Sequence, residues 1–192
     1  MKQEEVLKIF RDSGAFLEGH FILTSGLHSP HYFQCAKVLQ YPGHAQKLCW
    51  EIACHYLTEN ISTVIAPAVG GIVVAHEVAR LIKARSIFAE REGGKMALRR
   101  GFEISSSENV LVVEDVITTG GSVKEIIELV EQSGASLKGV GVLVDRSEGR
   151  AEFPVDLFSL LKMDVVTYKP EACPLCDEGL PLVKPGSRNL KK

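Results

Sequence analysis

The sequence predicts an α/β fold, a parallel sheet flanked by helices, and three observations carry that expectation. Short apolar runs recur at Thr63-Val64-Ile65-Ala66, residues 86–90, Val110–Val113 and Val140–Val144. Stretches at helical spacing lie among them, with Ile72, Ala75, Ala79 and Ile82 on one face and Val123, Ile126, Ile127 and Val130 on another. Finally, Val110-Leu111-Val112-Val113 is apolar without alternation, as in a strand buried on both faces of a parallel sheet. Right-handed crossovers then gather the loops after the strands along one edge, where ligands bind in such sheets.

Taken in order, residues 3–12 place Val6, Leu7, Ile9 and Phe10 among charges, a short amphipathic helix with Gly14 where a C-terminal cap belongs. Phe21-Ile22-Leu23 and Tyr32-Phe33-Gln34 read as short strands around the loop Thr24–Pro30. Residues 44–58 carry Leu48, Cys49, Ile52, Ala53, Tyr56 and Leu57 at helical spacing, and Asn60 marks a stop. The strand 63–66 runs into the loop Pro67-Ala68-Val69-Gly70-Gly71. Residues 91–100 are polar, Gly-bearing and basic. The chain reads as one domain over 1–192: an N-terminal segment at 1–42, a core sheet at 61–168, and an irregular tail at 170–192 rich in Pro, Gly and Lys.

A chain of 192 residues supports one well-buried core. The formal charge of -2 argues against nucleic-acid binding, and no apolar run approaches a membrane span. The start, Met1-Lys2-Gln3-Glu4-Glu5, is unlike a secretory signal, so a cytoplasmic location is expected. Five cysteines without such a signal argue against a disulfide framework, and Cys49 and Cys54 read as small core residues.

The chemistry concentrates in Glu114-Asp115-Val116-Ile117-Thr118-Thr119-Gly120-Gly121-Ser122. A buried strand ends in two carboxylates, and a loop of hydroxyls and glycines opens a helix. Ser122 and Glu125 have capping-box spacing. First-turn N–H groups and the helix dipole make an anion site there, and Gly120 and Gly121 let backbone approach a phosphate. The carboxylates would repel that phosphate, so their natural partners are sugar hydroxyls. The whole reads as a site for a phosphorylated sugar. A Walker loop is absent, and Gly139-Val140-Gly141 lacks the third glycine of a dinucleotide fingerprint.

Other motifs are less specific. Arg146 follows the strand Val140–Val144; alone it reads equally as a carboxylate anchor or as a surface arginine paired with Asp145 or Glu148. Arg91, Lys95, Arg99 and Arg100 around Gly93-Gly94 read as a solvated hairpin or a flexible cationic lid. His28-Ser29-Pro30-His31 reads as satisfied polar surface, and His76 as a structural residue on a helix. Cys173-x-x-Cys176 is half of a zinc site whose other pair is missing; it reads as no metal site at all, or as one that a dimer or another residue completes.

Residues 110–122 closely resemble the phosphoribosyl-diphosphate motif of type I phosphoribosyltransferases, with Glu114 as the first acid where Asp is commoner. Further segments resemble the orotate phosphoribosyltransferases of that family. These are Phe21–Pro30 with Tyr32-Phe33-Gln34 (base cover), Ala66–Ile72 (pyrophosphate loop), Glu90–Lys95 through Arg99-Arg100-Gly101-Phe102 (mobile catalytic loop) and Asp145-Arg146 (base anchor). The tail Cys173–Cys176 with Leu182–Arg188 resembles one bacterial and archaeal branch.

The resemblance implies a type I phosphoribosyltransferase fold with a small N-terminal hood. It implies transfer of ribose 5-phosphate from phosphoribosyl diphosphate to orotate in pyrimidine biosynthesis. Lys95, Arg91 and Asp115 would be catalytic, Glu114 to Ser122 with Arg91 and Lys95 would hold phosphoribosyl diphosphate, and Thr118 and Arg146 would hold orotate. Mg2+ would be bound through the substrate without direct side-chain ligands, and the catalytic loop would cross a homodimer interface. Thr24 and Gly70 stand where many members carry Lys, which shifts the cationic work onto Arg91, Lys95, Arg99 and Arg100. The alternatives are a purine phosphoribosyltransferase, which needs no carboxylate anchor, and a phosphoribosyl-diphosphate-sensing regulator, which needs an added nucleic-acid-binding segment.

Overall fold

The computed structural model describes residues 1–23, 25–164 and 166–185. A six-stranded sheet has the order β5-β4-β3-β6-β7-β8, formed by β3 (Thr63–Pro67), β4 (Arg85–Glu92), β5 (Lys95–Leu98), β6 (Asn109–Ile117), β7 (Ser136–Asp145) and β8 (Leu157–Lys162). All neighbours pair in parallel except β5, which folds back antiparallel on β4. Helices α1 (Gln3–Asp12), α3 (Pro42–His55) and α4 (Gly71–Ile82) cover one face, and α5 (Gly121–Gln132) the other. Leu111 and Val113 of β6 enter the first core while Val110 and Val112 enter the second. The unbroken apolar run is therefore explained by burial on both faces.

A separate antiparallel pair, β1 (Phe16–Ile22) and β2 (His28–Phe33), makes a hood, and a short helical turn, α2 (Ala36–Leu39), leads from it to α3. Its strands are longer than the apolar runs suggest, because pairing extends to Ser29 and His28, past Pro30 at the register shift. Pro30 is tolerated there since a two-stranded ribbon consists only of edges. The tail pairs with this hood: Val183 bridges Phe21, and Tyr168 bridges His28. The tail also forms short helical turns at Pro170–Ala172 and, as α6, at Pro174–Asp177.

Several expectations are corrected. Glu114 and Asp115 lie inside β6, which runs on to Ile117, so the acids do not terminate the strand. The basic loop contains a strand, β5, whose register pairs Glu92 with Lys95 across Gly93-Gly94, both at positive φ as a tight hairpin turn requires. Strand β8 was not foreseen, because Leu157–Lys162 follows a Pro-bearing irregular stretch. Cys49 is buried as expected, but Cys54 is exposed. His76 sits exposed on α4. Gly139 and Gly141 serve packing: a Cβ at either would lie 2.2 Å from Tyr56 or 2.5 Å from Ile52, so α3 rests directly on β7. Tyr56 then donates its hydroxyl proton toward the Val140 carbonyl at 2.8 Å.

Candidate active site

The ligand edge is organised by the end of β6 and the start of α5. Gly120 is the N-cap, at φ +73, and a Cβ there would meet Phe153 at 2.9 Å, so only glycine fits on both counts. The cap itself has no side chain for the first turn; the Gly121 N–H meets Thr119 Oγ1 only at a long 3.4 Å, and such a helix start favours an anion. The foreseen capping box does not form. Glu125 instead accepts hydrogen bonds from Arg91 at 2.9 and 3.3 Å and from the Met96 N–H at 2.8 Å. A cavity of about 80 Å3 opens between Glu114 and residues 116–123, with Thr118 and Thr119 exposed at its rim. It gathers Glu114, Val116, Ile117, Thr118, Thr119, Gly120, Gly121 and Ser122, as the sequence suggests. Asp115, Arg91, Lys95 and Arg146 lie outside its lining.

The carboxylates face the loop after β3. A Cβ on Gly70 would fall 2.5 Å from an Asp115 oxygen, and one on Gly71 would fall 3.0 Å from a Glu114 oxygen and 2.7 Å from Ala66. Asp115 thus occupies the space that a side chain at 70 would need. Both acids also accept local N–H bonds, Glu114 from Asp115 at 3.1 Å and Asp115 from Val116 at 2.8 Å. The Gly70-Gly71 loop and the paired acids therefore form one continuous wall.

Arg146 enters from the end of β7. Its N–H donates to the Ile117 carbonyl at 2.9 Å, which joins it to the strand end below the cradle. The guanidinium lies 5.7 Å over the Phe33 ring of the hood. Asp145 accepts from the Ser147 N–H, and Glu148 pairs with Arg150, so neither holds Arg146 as a surface pair. Its Nε is buried without a hydrogen-bond partner. Burial lowers its pKa from the ordinary arginine value, with Cys35 and Tyr32 acting the other way; arginine nevertheless remains charged at neutral pH. A buried cation with an unused donor suits an anionic ligand.

Cys35 is a site residue that the sequence did not reveal. It is 3% exposed, and burial first, then Asp115 and Glu114, push its thiol well above the ordinary range, with Arg146 opposing. A lone cysteine before a short helix carries no sequence signal of such company.

In the hairpin, Arg91 is held by Glu125, Arg99 by Glu92 at 3.4 Å, and Arg100 by Glu90 at 2.8 Å. Lys95 is exposed and has no ion pair among the described residues. Thr24 of the hood lies outside the described residues, as do Gly186, Ser187 and Arg188 of the tail motif.

The phosphoribosyl transferase domain family matches residues 38–167. The chain is similar to an orotate phosphoribosyltransferase of Desulforamulus reducens, 58% identical over 190 residues, covering 99% of this chain and 100% of that protein. One from Chlorobaculum parvum is 58% identical over 189 residues, covering 98% of each. Among solved structures, the orotate phosphoribosyltransferase of Aeropyrum pernix superposes with a TM-score of 0.70 at 29% identity, covering 82% of this chain and 93% of that one. An adenine phosphoribosyltransferase from Rhodothermus marinus shares the fold, with a TM-score of 0.61 at 18% identity, covering 69% of this chain and 86% of that one.

Proposed function

The chain belongs to the phosphoribosyltransferase family, among its orotate phosphoribosyltransferases, and we propose that its ligand edge transfers ribose 5-phosphate from phosphoribosyl diphosphate to orotate, giving orotidine 5'-phosphate and diphosphate in pyrimidine biosynthesis. The observation that carries the choice of base is Arg146, a largely buried guanidinium with an unpartnered Nε facing the hood. Orotate brings a carboxylate that a guanidinium binds bidentately; a purine brings none.

In this reading residues 118–122 hold the 5-phosphate on the first turn of α5, and Glu114 and Asp115 accept hydrogen bonds from the ribose diol. Thr118 and Arg146 orient orotate so that a ring nitrogen faces the anomeric carbon. The carbon–oxygen bond to diphosphate breaks as the carbon–nitrogen bond forms, with positive charge on the sugar and growing negative charge on the leaving group, and the proton of the ring nitrogen passes to solvent or to the departing diphosphate. Arg91 and Lys95 meet that charge. Arg91 exchanges Glu125 for diphosphate as the hairpin closes, and Lys95 reaches the site of the neighbouring subunit in a homodimer. The carboxylates and hydroxyls of the cradle suit a hard cation, and Mg2+ would arrive on the substrate, held through phosphoribosyl diphosphate rather than by direct side-chain ligands. When bound it supplies charge neutralisation to the diphosphate. We place the reaction in the cytoplasm, without nucleic-acid or membrane partners, on the formal charge of -2 and the sequence start. Separately, no described helix is long and apolar enough to cross a membrane.

The test is the loss of orotate absorbance on adding phosphoribosyl diphosphate and Mg2+, with adenine and hypoxanthine in parallel. Turnover of orotate alone is expected. Equal turnover of a purine would overturn the assignment of Arg146 as the base anchor.

A further inference from the structure

The hood and the tail meet at a cluster that the transfer reaction leaves unused, and we propose that it is a structural zinc site formed by His20 Nε2, His28 Nδ1, Cys173 Sγ and Cys176 Sγ. These four atoms lie within 4.8 Å of one another. This supplies the half-site that Cys173-x-x-Cys176 lacks in the sequence, and it corrects the reading of His28 as polar surface, since His28 is only 4% exposed.

The distances match a metal tetrahedron. With zinc bonds of about 2.3 Å to sulfur and about 2.0–2.1 Å to nitrogen, a sulfur–nitrogen edge is about 3.5 Å and a nitrogen–nitrogen edge about 3.4 Å. The observed sulfur–nitrogen separations are 3.5 Å for Cys173–His20, 3.7 Å for Cys176–His20 and 3.4 Å for Cys176–His28. The His20–His28 nitrogens, at 2.9 Å, need only a small outward movement.

The surroundings are those of a ligand set. His20 Nδ1 lies 2.9 Å from the Leu180 carbonyl. Donating its proton there leaves the Nε2 lone pair facing inward, the outer contact that metal-bound histidines use. The β1–β2 register shifts between Glu18 and Phe21, and this irregularity turns His20 and Phe21 inward together. Cys173 caps the short turn α6, which returns Cys176 to the same point. Cys176 is the exposed member and provides the access route. Two thiolates, two neutral imidazoles and Zn2+ sum to zero charge, which suits burial. Tetrahedral sulfur–nitrogen coordination of this kind selects zinc.

The site would act on the fold. A two-stranded ribbon is marginal alone, and the cluster ties it to a tail segment 148 residues away in sequence. The hood carries Phe33, over which Arg146 lies, so zinc would fix one wall of the ligand edge without touching substrate.

The test measures metal on the full chain, purified without an affinity tag from zinc-supplemented medium and dialysed. About one zinc per chain is expected in the wild type, falling at least about tenfold in Cys173→Ser and Cys176→Ser. A folded wild type with under about a tenth of an equivalent, or serine variants that keep the full equivalent, would overturn the proposal. Should the variants fail to fold, cobalt substitution of the wild type decides: visible bands of tetrahedral thiolate-bound Co2+ support the site, and their absence from cobalt-reconstituted, folded protein refutes it. Both readouts are independent of orotate turnover, so failure here and failure of the assigned reaction are distinguishable.

Discussion

The cradle at residues 114–122 is made from consecutive residues of one strand–loop–helix unit, whereas the hood opposite it is assembled from residues 16–35 together with 166–183. The first sits on β6, at the centre of the sheet with both faces buried. The second is a ribbon held by bridges to the tail and by the histidine–cysteine cluster. Local construction makes the cradle easy to read; remote construction makes the hood hard to read. Arg146 belongs to both, bonded through its N–H to Ile117 of β6 and lying over Phe33 of the hood.

The largest effect expected comes from neither wall but from the basic hairpin, which in the proposed reading closes over them. Lys95→Ala should lower kcat by about 100- to 1000-fold, about 2.7–4 kcal/mol, with Michaelis constants nearly unchanged, because its charge acts as diphosphate departs. Mixing Lys95→Ala with Asp115→Asn subunits should restore about a quarter of wild-type activity if the lysine serves its neighbour and exchange is complete. Proven exchange with no recovery would show that Lys95 serves its own subunit or that the two sites are coupled.

A somewhat smaller effect separates the two walls. Arg146→Ala should cost orotate kcat/KM about 2–4 kcal/mol, roughly 30- to 700-fold, while calorimetric affinity for phosphoribosyl diphosphate stays within about twofold. Parallel losses in both would mean that the hood and the cradle work as one unit and that the contrast drawn between them is mistaken.

The smallest effect concerns the packing beneath both. Burial first, and then Glu77, raise the Cys49 thiol from an ordinary 9.0 to about 12. The folded state therefore keeps its proton longer. The associated stability is complete below about pH 9 and is lost as pH rises toward the folded value, by about 1 kcal/mol at pH 10. Urea midpoints at pH 8 and pH 10 should show this fall, and Cys49→Ala should reduce it. Cys35, where hood and cradle meet, is shifted the same way, so Cys35→Ala should also flatten the profile. A pH dependence untouched by either substitution would place the alkaline sensitivity elsewhere.

The legibility of the molecule follows the same division. Val110–Val113 and the Thr-Gly-Gly-Ser turn announce themselves because burial on two faces and a glycine N-cap leave strong local marks. The type of each core element from β3 to β7 follows from periodicity, apart from β5, whose basic composition masks a strand paired only at an edge. Glu125 misleads because its spacing from Ser122 imitates a cap, while in space it meets Arg91 and Met96. His20 carried no signal at all: one histidine in a strand gains meaning only when residues 160 positions later fold against it. Cys35 is silent for the same reason.

The pairing of the tail with the hood also sets an order of events during synthesis. Val183 accepts from Ile22 and donates to His20, and Leu180 lies against the His20 ring. Those tail residues leave the ribosome after 160 more amino acids have been added, roughly 8–32 s later at ordinary elongation rates. The cradle ends at Ser122, 58 positions before Leu180, so it precedes that tail residue by only about 3–12 s at the same rates, and it is the hood strands, made first, that wait longest for their partner.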